Sequence, residues 1–514
     1  MKKALSWLLC IFLLLSCLCG CAPEDAPYVP TGDALAGENE GDAPVATQGD
    51  AEQALTLAYY PAESLNPYLC TDYTNRTLFS LIYQGLFAVS PDYQVTPILC
   101  SGYTMTEDMR SYTFYLESAT FSDGAPITVQ DVLASYEAAQ ACDYFKGRFQ
   151  HIKGISLSPD GGITFSLSTA YENLPILLDI PIVKASEVDS GQPLGTGPYY
   201  LEQSGTGLRL RRRTNLWCTP DLLVTAAAIP LEAVDSVTGI RDAFEFSDVG
   251  LVCADPGSDE YADFRSDYEL WDCENGIFLY LACNLDSPIF SIPEVRAALT
   301  YAIDRDTLVA KFYRNFAHSA SLPASPNSPY YSNQLASNYT FNQEKFTQVV
   351  SEKALTGLPI RLLVNKGDTL RLRVAREIGR MLSECGLKVE MLEQSGRDYT
   401  YTLNTKAYDL YLGQTKLSAT MDLSPFFNTR GALRYGGLSD AAIHAMCLEA
   451  LANRGNYLTL HKMVMDDGRL CPVLFRSYSI HATRGLLTGL APARDNVFYY
   501  SLGKTMESIR IPTD

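Results

Sequence analysis

Histidine is scarce in this chain of 514 residues, and the motifs of common enzymes are missing. The five histidines show neither HExxH nor HxH spacing; they are His151, His318, His444, His461 and His481. The sequence contains no GxSxG motif, no Walker A motif and no GxGxxG motif after a strand. We therefore expect no catalytic residues, no resident metal and no cofactor.

Positive charge is also in deficit. The chain has 40 Lys and Arg residues against 59 Asp and Glu residues, which gives a formal net charge of -19. Such an acidic surface repels nucleic acid and anionic lipid headgroups, and argues against both as partners. Outside the N-terminus the chain lacks any apolar run of the roughly 18 residues that a membrane span requires. Its length predicts two or three lobes.

Cysteine is frequent but lacks a pattern. Of 14 cysteines, four (Cys10, Cys17, Cys19 and Cys21) lie in the first 21 residues, which leaves ten for the rest of the chain. Those ten form no CxxC pair, so the spacing favours neither a zinc site nor a redox motif. Most are expected to be buried thiols. One or two disulfides stay open, with Cys273 and Cys283 as the candidate pair.

The N-terminus has the pattern of a secretory signal. Lys2 and Lys3 precede an apolar stretch at 5–15, which is too short to span a membrane comfortably. Leu18-Cys19-Gly20-Cys21 resembles a bacterial lipobox, which implies a lipoprotein signal peptide at 1–21 and a lipid such as palmitate on Cys21. Cys17 is a second candidate, and an uncleaved anchor or plain secretion are the alternatives. Residues 22–52 are rich in Pro, Gly, Ala and acids, and predict a disordered tether.

The rest of the chain alternates strand and helix patterns, which predicts an α/β fold. A strand at 360–364, a helix at 370–385 and a strand at 387–392 predict a parallel strand pair. Thr128, followed by Asp131 three residues later, predicts a helix with a capping box. The apolar spacing of 75–87 predicts one further helix, which stops at Gly85.

Several segments resemble, in order, the family 5 extracellular solute-binding proteins, the peptide- and nickel-binding components of ABC importers. The matching segments are Leu65-Asn66-Pro67, LIYQGLF followed by SPD, SYTFYLE, FSDGAPIT with Asp131-Val132, GTGPY with Asn215-Leu216-Trp217, VRAALTYAIDRDTLV, and YDLYLG with DLSPFF. Most of these segments carry turns and packed helices rather than chemistry. Arg296, in VRAALTYAIDRDTLV, is expected to be a surface charge.

The resemblance implies a bilobed periplasmic-binding-protein type II fold with an extra domain, three domains in all. Lobe I would combine 53–85, 186–270 and 471–514. The extra domain, 86–185, would pack on lobe I, and 271–470 would form lobe II. The ligand would lie between the lobes.

A bound peptide offers an ammonium, a carboxylate and an extended backbone, so a closed site needs paired charges. In peptide-binding relatives an Asp in the loop after a Gly-Trp strand end pairs with the ammonium. Asp422 is the candidate here, although Gln414 replaces the aromatic residue. The alternative is that Asp422 only caps a turn.

The resemblance also implies an arginine for the ligand's carboxylate at the start of the helix after strand 360–364. Arg371 and Arg373 are the candidates, and the alternative is a solvated charged face with an Arg373–Glu377 pair. Aromatic residues are further candidates for the cleft wall; they are Tyr73, Tyr144, Tyr330 and Tyr331.

The expected function is therefore capture of a short peptide by a monomeric lipoprotein on the outer face of a bacterial cell membrane, followed by delivery to an ABC importer permease. The alternatives are binding of a nickel chelate or an oligosaccharide on the same fold, or sensing of a peptide or pheromone. A lipoprotein hydrolase is the remaining alternative.

Overall fold

The computed structural model describes residues 55–205, 207–258 and 264–512. The predicted signal peptide at 1–21, the lipidation site Cys21 and the predicted tether at 22–52 lie outside the described residues. Within the described ranges, no helix has the length and apolar character needed to cross a membrane.

The predicted α/β class is confirmed, because strands and helices alternate along the described chain. The strands are β1 Leu57–Tyr59, β2 Phe87–Val89, β3 Val95–Pro97, β4 Cys100–Met105, β5 Ser111–Leu116, β6 Ile152–Leu157, β7 Ile163–Leu167, β8 Tyr199–Ser204, β9 Gly207–Arg212, β10 Ala228–Ala233, β11 Leu251–Ala254, β12 Tyr268–Cys283, β13 Ala317–Ser319, β14 Pro359–Asn365, β15 Lys388–Gln394, β16 Leu410–Lys416, β17 Leu470–Thr483 and β18 Ala493–Arg494. The helices are α1 Tyr73–Thr77, α2 Phe79–Ile82, α3 Val129–Ala141, α4 Val237–Glu245, α5 Pro293–Ala298, α6 Arg305–Tyr313, α7 Asn333–Ala336, α8 Gln343–Glu352, α9 Thr369–Glu384, α10 Gly396–Thr405, α11 Ser424–Phe427, α12 Ala441–Ala452 and α13 Tyr457–Asp467.

The largest sheet has 12 strands, with the main order β15-β14-β16-β12-β17-β11-β1-β10-β9-β8. At its centre the long strands β12 and β17 pair antiparallel from end to end, with register shifts between Glu274 and Phe278 and between Leu279 and Tyr280. These two strands link a half of the sheet built from 359–416 with a half built mainly from 57–254. Both halves are covered by buried apolar side chains, and one core cluster lies wholly within residues 279–474.

The predicted strand–helix–strand unit is confirmed. β14 and β15 pair parallel, and α9 connects them with a buried stripe that includes Leu370, Val374 and Ile378. The Asp368 side chain begins α9 by accepting a hydrogen bond from the Arg371 amide at 2.9 Å. This cap brings Asp368 and Arg371 together at the start of the helix.

A separate sheet of four antiparallel strands, in the order β4-β5-β7-β6, lies within the stretch predicted as the extra domain. Helix α3 begins with the predicted capping box. The Asp131 carboxylate accepts hydrogen bonds from the Thr128 amide at 2.8 Å and the Thr128 hydroxyl at 2.6 Å. The domain boundaries themselves stay predictions.

Two expectations about backbone and charge are wrong. The single helix predicted at 75–87 is two short helices that meet at Leu78, and the second ends at Ile82 because Tyr83 is extended and Gln84 forms a bridge with Ile182. Arg296 is buried rather than on the surface, and its guanidinium donates to the carbonyls of Phe290 at 2.9 Å and Ser291 at 3.1 Å. A buried arginine is tolerated there because backbone carbonyls accept its hydrogen bonds.

The candidate disulfide is also wrong. All cysteines in the described residues are free thiols, and both Cys273 and Cys283 are fully buried. The two residues lie on the same strand, β12, ten positions apart. At about 3.3 Å per residue this separates them by roughly 30 Å, far beyond the distance that a disulfide spans.

Candidate functional site

A cavity of about 330 Å³ lies at the carboxyl end of β16. Its main walls come from the end of β16 and the loop after it (415–425), from the segment after α3 (143–150), and from Arg494 and Asp495. We call this space the site cavity. Three segments far apart in the chain therefore meet around one space, in the size range of about 300–1,000 Å³ that is usual for small-molecule sites.

Lys416 and Asp495 form an ion pair across this cavity, with 2.5 Å between Lys416 Nζ and Asp495 Oδ1. Burial lowers the pKa of Lys416, but the Asp495 charge outweighs it and leaves the pKa above its usual value. Burial raises the pKa of Asp495, while Lys416 and Arg494 lower it to below its usual value. The pair is therefore ionised, and it joins β16 to the C-terminal part of the chain.

Tyr144 lies between two cations. The Arg76 guanidinium stacks over its ring at 3.9 Å from the centroid, and Lys416 Nζ lies 4.5 Å from the same centroid. Lys416 also donates to the Tyr144 hydroxyl at 3.2 Å. The predicted cleft residue Tyr144 is thus in the cavity wall, where its ring face binds positive charge.

Asp422 also lines the site cavity, but both of its carboxylate oxygens already accept hydrogen bonds. Oδ2 lies 2.8 Å from His151 Nε2 and accepts from the Ser424 hydroxyl at 2.9 Å. Oδ1 accepts from the Ser424 amide at 2.8 Å, which is the turn-capping arrangement given above as the alternative. The side chain is 7% exposed. Asp422 therefore joins the loop after β16 to the start of β6 in this arrangement.

Arg371 and Gln414 meet at Asp368 rather than in the site cavity. Gln414 Nε2 donates to Asp368 Oδ2 at 3.2 Å, and Arg371 Nε lies 3.5 Å from the same oxygen. Arg373 is exposed on α9, and Glu377 pairs with Lys311 and Arg380. The ligand roles of Arg371, Arg373 and Gln414 stay predictions.

The remaining tyrosine candidates lie away from the site cavity. Tyr73 stacks on Tyr478 with 3.9 Å between ring centroids, and its hydroxyl lies 3.1 Å from the Cys273 thiol. Tyr330 packs on Tyr457 at 4.4 Å beside a separate cavity of about 610 Å³. Tyr331 accepts a hydrogen bond from the Ser321 amide at 3.2 Å. Of the predicted residues, the structure brings only Asp422 and Tyr144 to the site cavity.

The middle of the chain, residues 94–433, matches the model of the bacterial extracellular solute-binding proteins, family 5. The chain belongs to this family. Its members are the substrate-binding proteins of ABC importers rather than enzymes.

The chain is also similar to individual family 5 proteins, in sequence and in fold. The chain is 23% identical over 356 residues to the glutathione-binding protein GsiB of Salmonella paratyphi A, over 64% of this chain and 67% of that protein. Its fold matches that of a putative peptide-binding protein, AppA, from Clostridium difficile, with a TM-score of 0.70, 16% identity, and coverage of 87% of this chain and 98% of AppA. NikA from Brucella suis, solved in complex with Fe(III)-EDTA, gives a TM-score of 0.66 at 18% identity over 86% of this chain and 98% of NikA. The predicted bilobed type II periplasmic-binding-protein fold is thereby confirmed.

Sequence reasoning missed the charged residues that dominate the site cavity of this family 5 protein. Arg148 pairs with Asp179, and Arg494 donates to Asp495 at 3.1 Å. Lys416 and Asp495 lie 79 positions apart in the chain, so no local spacing could have paired them. The one available signal was position, because Lys416 lies between the ligand candidates Gln414 and Asp422 in the sequence.

Proposed function

We propose that this protein captures a short peptide in the site cavity and delivers it to the permease of an ABC importer. The observation that carries the proposal is the cavity itself, which lies where β16 ends and is walled by three separate chain segments. Its walls contain ionised groups of both signs, Lys416 and Asp495 among them. A peptide with an ammonium and a carboxylate needs such a pair of charges when it leaves water.

The relatives support a peptide ligand. GsiB is named for glutathione, a tripeptide, and AppA is described as a putative peptide-binding protein. NikA was solved with a metal chelate, so a chelate is the competing ligand class within the family. In the described residues no group of three or more His, Cys, Asp and Glu side chains is placed to hold a metal ion.

Capture would work by closure of two lobes, with 271–470 opposing a body made of 53–85, 186–270, 471–514 and the extra domain 86–185. Two contacts in the site would then join opposite sides: Lys416 with Asp495, and Asp422 with His151. A ligand that touches both sides favours the closed arrangement by its difference in affinity for the two states. The ligand's ammonium would compete with His151 for Asp422.

A thermal-shift screen with di- to pentapeptides tests the proposal, with nickel chelates and oligosaccharides as the comparison classes. A peptide-dependent rise in melting temperature is expected, because a ligand that binds only the folded state stabilises it. A rise with chelates or sugars and none with any peptide would contradict it. Asp422→Asn should weaken peptide binding at least tenfold, whereas Asp160→Asn, on an exposed turn beside β7, should not change it.

The membrane attachment is a separate part of the proposal. Cys21 would carry the lipid, and the segment 22–52 would let the binding domain reach the permease. Palmitate labelling of the intact chain should disappear in Cys21→Ser and persist in Cys17→Ser. Uptake of a labelled peptide by cells with and without the protein distinguishes transport from sensing, because a sensor changes a response without changing uptake.

A further inference from the structure

The site cavity adjoins a smaller cavity of about 120 Å³, and the two share part of their walls. The shared residues are Tyr144, Arg148, Asp179, Arg494 and Asp495. The smaller cavity adds Arg76, and the site cavity adds Lys416. We call Arg76, Arg148, Lys416 and Arg494 the basic cluster.

We call the wall that the two cavities share the junction. Cationic side chains outnumber carboxylates around this junction, although the chain as a whole is strongly acidic. The remaining charged wall residues pair elsewhere: Asp143 binds Lys146 at the exposed rim, and Asp422 binds His151 and Ser424. The basic cluster therefore faces two carboxylates, Asp179 and Asp495. Asp179 pairs with Arg148, while Asp495 is shared between Lys416 and Arg494.

Two arginines of the basic cluster are not fully paired, and each can therefore bind an anion. The Arg76 guanidinium donates to the backbone carbonyls of Pro67 and Cys70, and no carboxylate in the described part of the chain lies within ion-pair distance of it. The Arg494 side chain is 6% exposed, and its Nε has no hydrogen-bond partner among the described residues. Buried cationic donors without full pairing are costly, so an anionic ligand group at this junction offsets that cost.

We propose that the site selects anionic solutes. Such a solute carries a carboxylate in addition to the C-terminal carboxylate of a neutral peptide, and this additional carboxylate binds at the basic cluster. This inference rests on the proposed function, which gives the location of the ligand. It adds the sign of the ligand's charge. An acidic short peptide and a small free polycarboxylate share this chemistry. Arginine is suited to such a contact because its planar guanidinium binds a carboxylate through two hydrogen bonds.

Isothermal titration with three matched tripeptides, Ala-Glu-Ala, Ala-Gln-Ala and Ala-Lys-Ala, tests the inference on the purified protein. We expect the Glu peptide to bind at least tenfold more tightly than the Gln peptide, a difference of about 1.4 kcal/mol. The Lys peptide should bind most weakly, because its ammonium meets the basic cluster. Tricarballylate is titrated alongside, and tighter binding of this polycarboxylate than of the Glu peptide would identify a free polycarboxylate as the preferred source of the charge.

Arg76→Met should remove most of the preference for Glu over Gln, measured as the ratio of the two dissociation constants within the same variant. The matched control is Arg211→Met, whose side chain is 48% exposed on β9, and which should keep the full preference. Equal binding of the Glu and Gln peptides by the parent protein overturns the inference and leaves the proposed function standing. Binding of none of the peptides, with binding of tricarballylate, overturns the proposed peptide function and leaves the anionic selection standing. An unchanged preference in Arg76→Met, with a melting temperature equal to the parent's, also overturns the inference.

Discussion

His461 makes the protein sensitive to acid through one buried side chain. It lies on α13, is 0% exposed, and neither of its ring nitrogens has a hydrogen-bond partner in the described part of the chain. Burial lowers its pKa from 6.5 to about 3. The imidazole is therefore neutral in the folded protein at pH values where it is protonated in the unfolded chain.

The direction and size of the effect follow from this difference. Because the folded pKa is below the unfolded pKa, the unfolded state binds more protons between pH 6.5 and about 3, and stability falls as pH falls through that window. From pH 7.5 to 4.5 this one group removes about 3 kcal/mol from the free energy of unfolding. A buried leucine needs no hydrogen bond and does not titrate, so His461→Leu should abolish this part of the acid sensitivity.

Urea unfolding at pH 7.5 and 4.5 measures the effect for the parent, for His461→Leu and for a control. The control is His444→Gln, on α12, where the histidine is half-buried and its Nε2 lies 3.2 Å from the Asn428 amide nitrogen. The His461→Leu protein should lose about 2–3 kcal/mol less on acidification than the parent. Equal losses in the parent and in His461→Leu would refute the reasoning.

Three further predictions concern packing, capping and thiols. Gly413→Ala should reduce the free energy of unfolding by about 1–3 kcal/mol in urea, because a Cβ there lies 2.5 Å from the Tyr280 ring; an unchanged midpoint would contradict that contact. Asp131→Ala should reduce the free energy of unfolding by about 1–3 kcal/mol in the same assay, because its carboxylate both caps α3 and accepts a hydrogen bond from the Ala185 amide. A loss below about 0.3 kcal/mol would contradict this double role. Alkylation of the denatured, unreduced protein followed by peptide mass mapping should find both Cys273 and Cys283 modified, and a disulfide-linked peptide at either position would disprove free thiols there.

Local features of the fold were predictable from the sequence. The capping box at Thr128 and the parallel strands on either side of the helix at 370–385 depend on residues that are close in sequence, and both are present. The helix predicted at 75–87 ends early, at Ile82, because Gln84 pairs with the distant Ile182. Arg296 was misjudged for a similar reason, since its partners are carbonyls exposed by a turn that its own helix pattern does not reveal.

The site was predictable in location but not in its contacts. The resemblance directed attention to the loop after β16, and Asp422 does line the site cavity. It could not show that His151, 271 positions earlier, already binds that carboxylate. Nor could it show that Arg371 and Gln414 would meet at Asp368, because Gln414 lies 46 positions from Asp368 in the chain.

Identification of the ligand that the protein carries tests the central claim most directly. Native mass spectrometry of the protein purified from cells grown in rich medium reads the bound mass, and fragmentation of the released molecule gives its chemistry. We predict a short peptide, enriched in Asp or Glu residues. Release of a chelated metal or an oligosaccharide, with no peptide in any preparation, would contradict peptide capture by this family 5 protein.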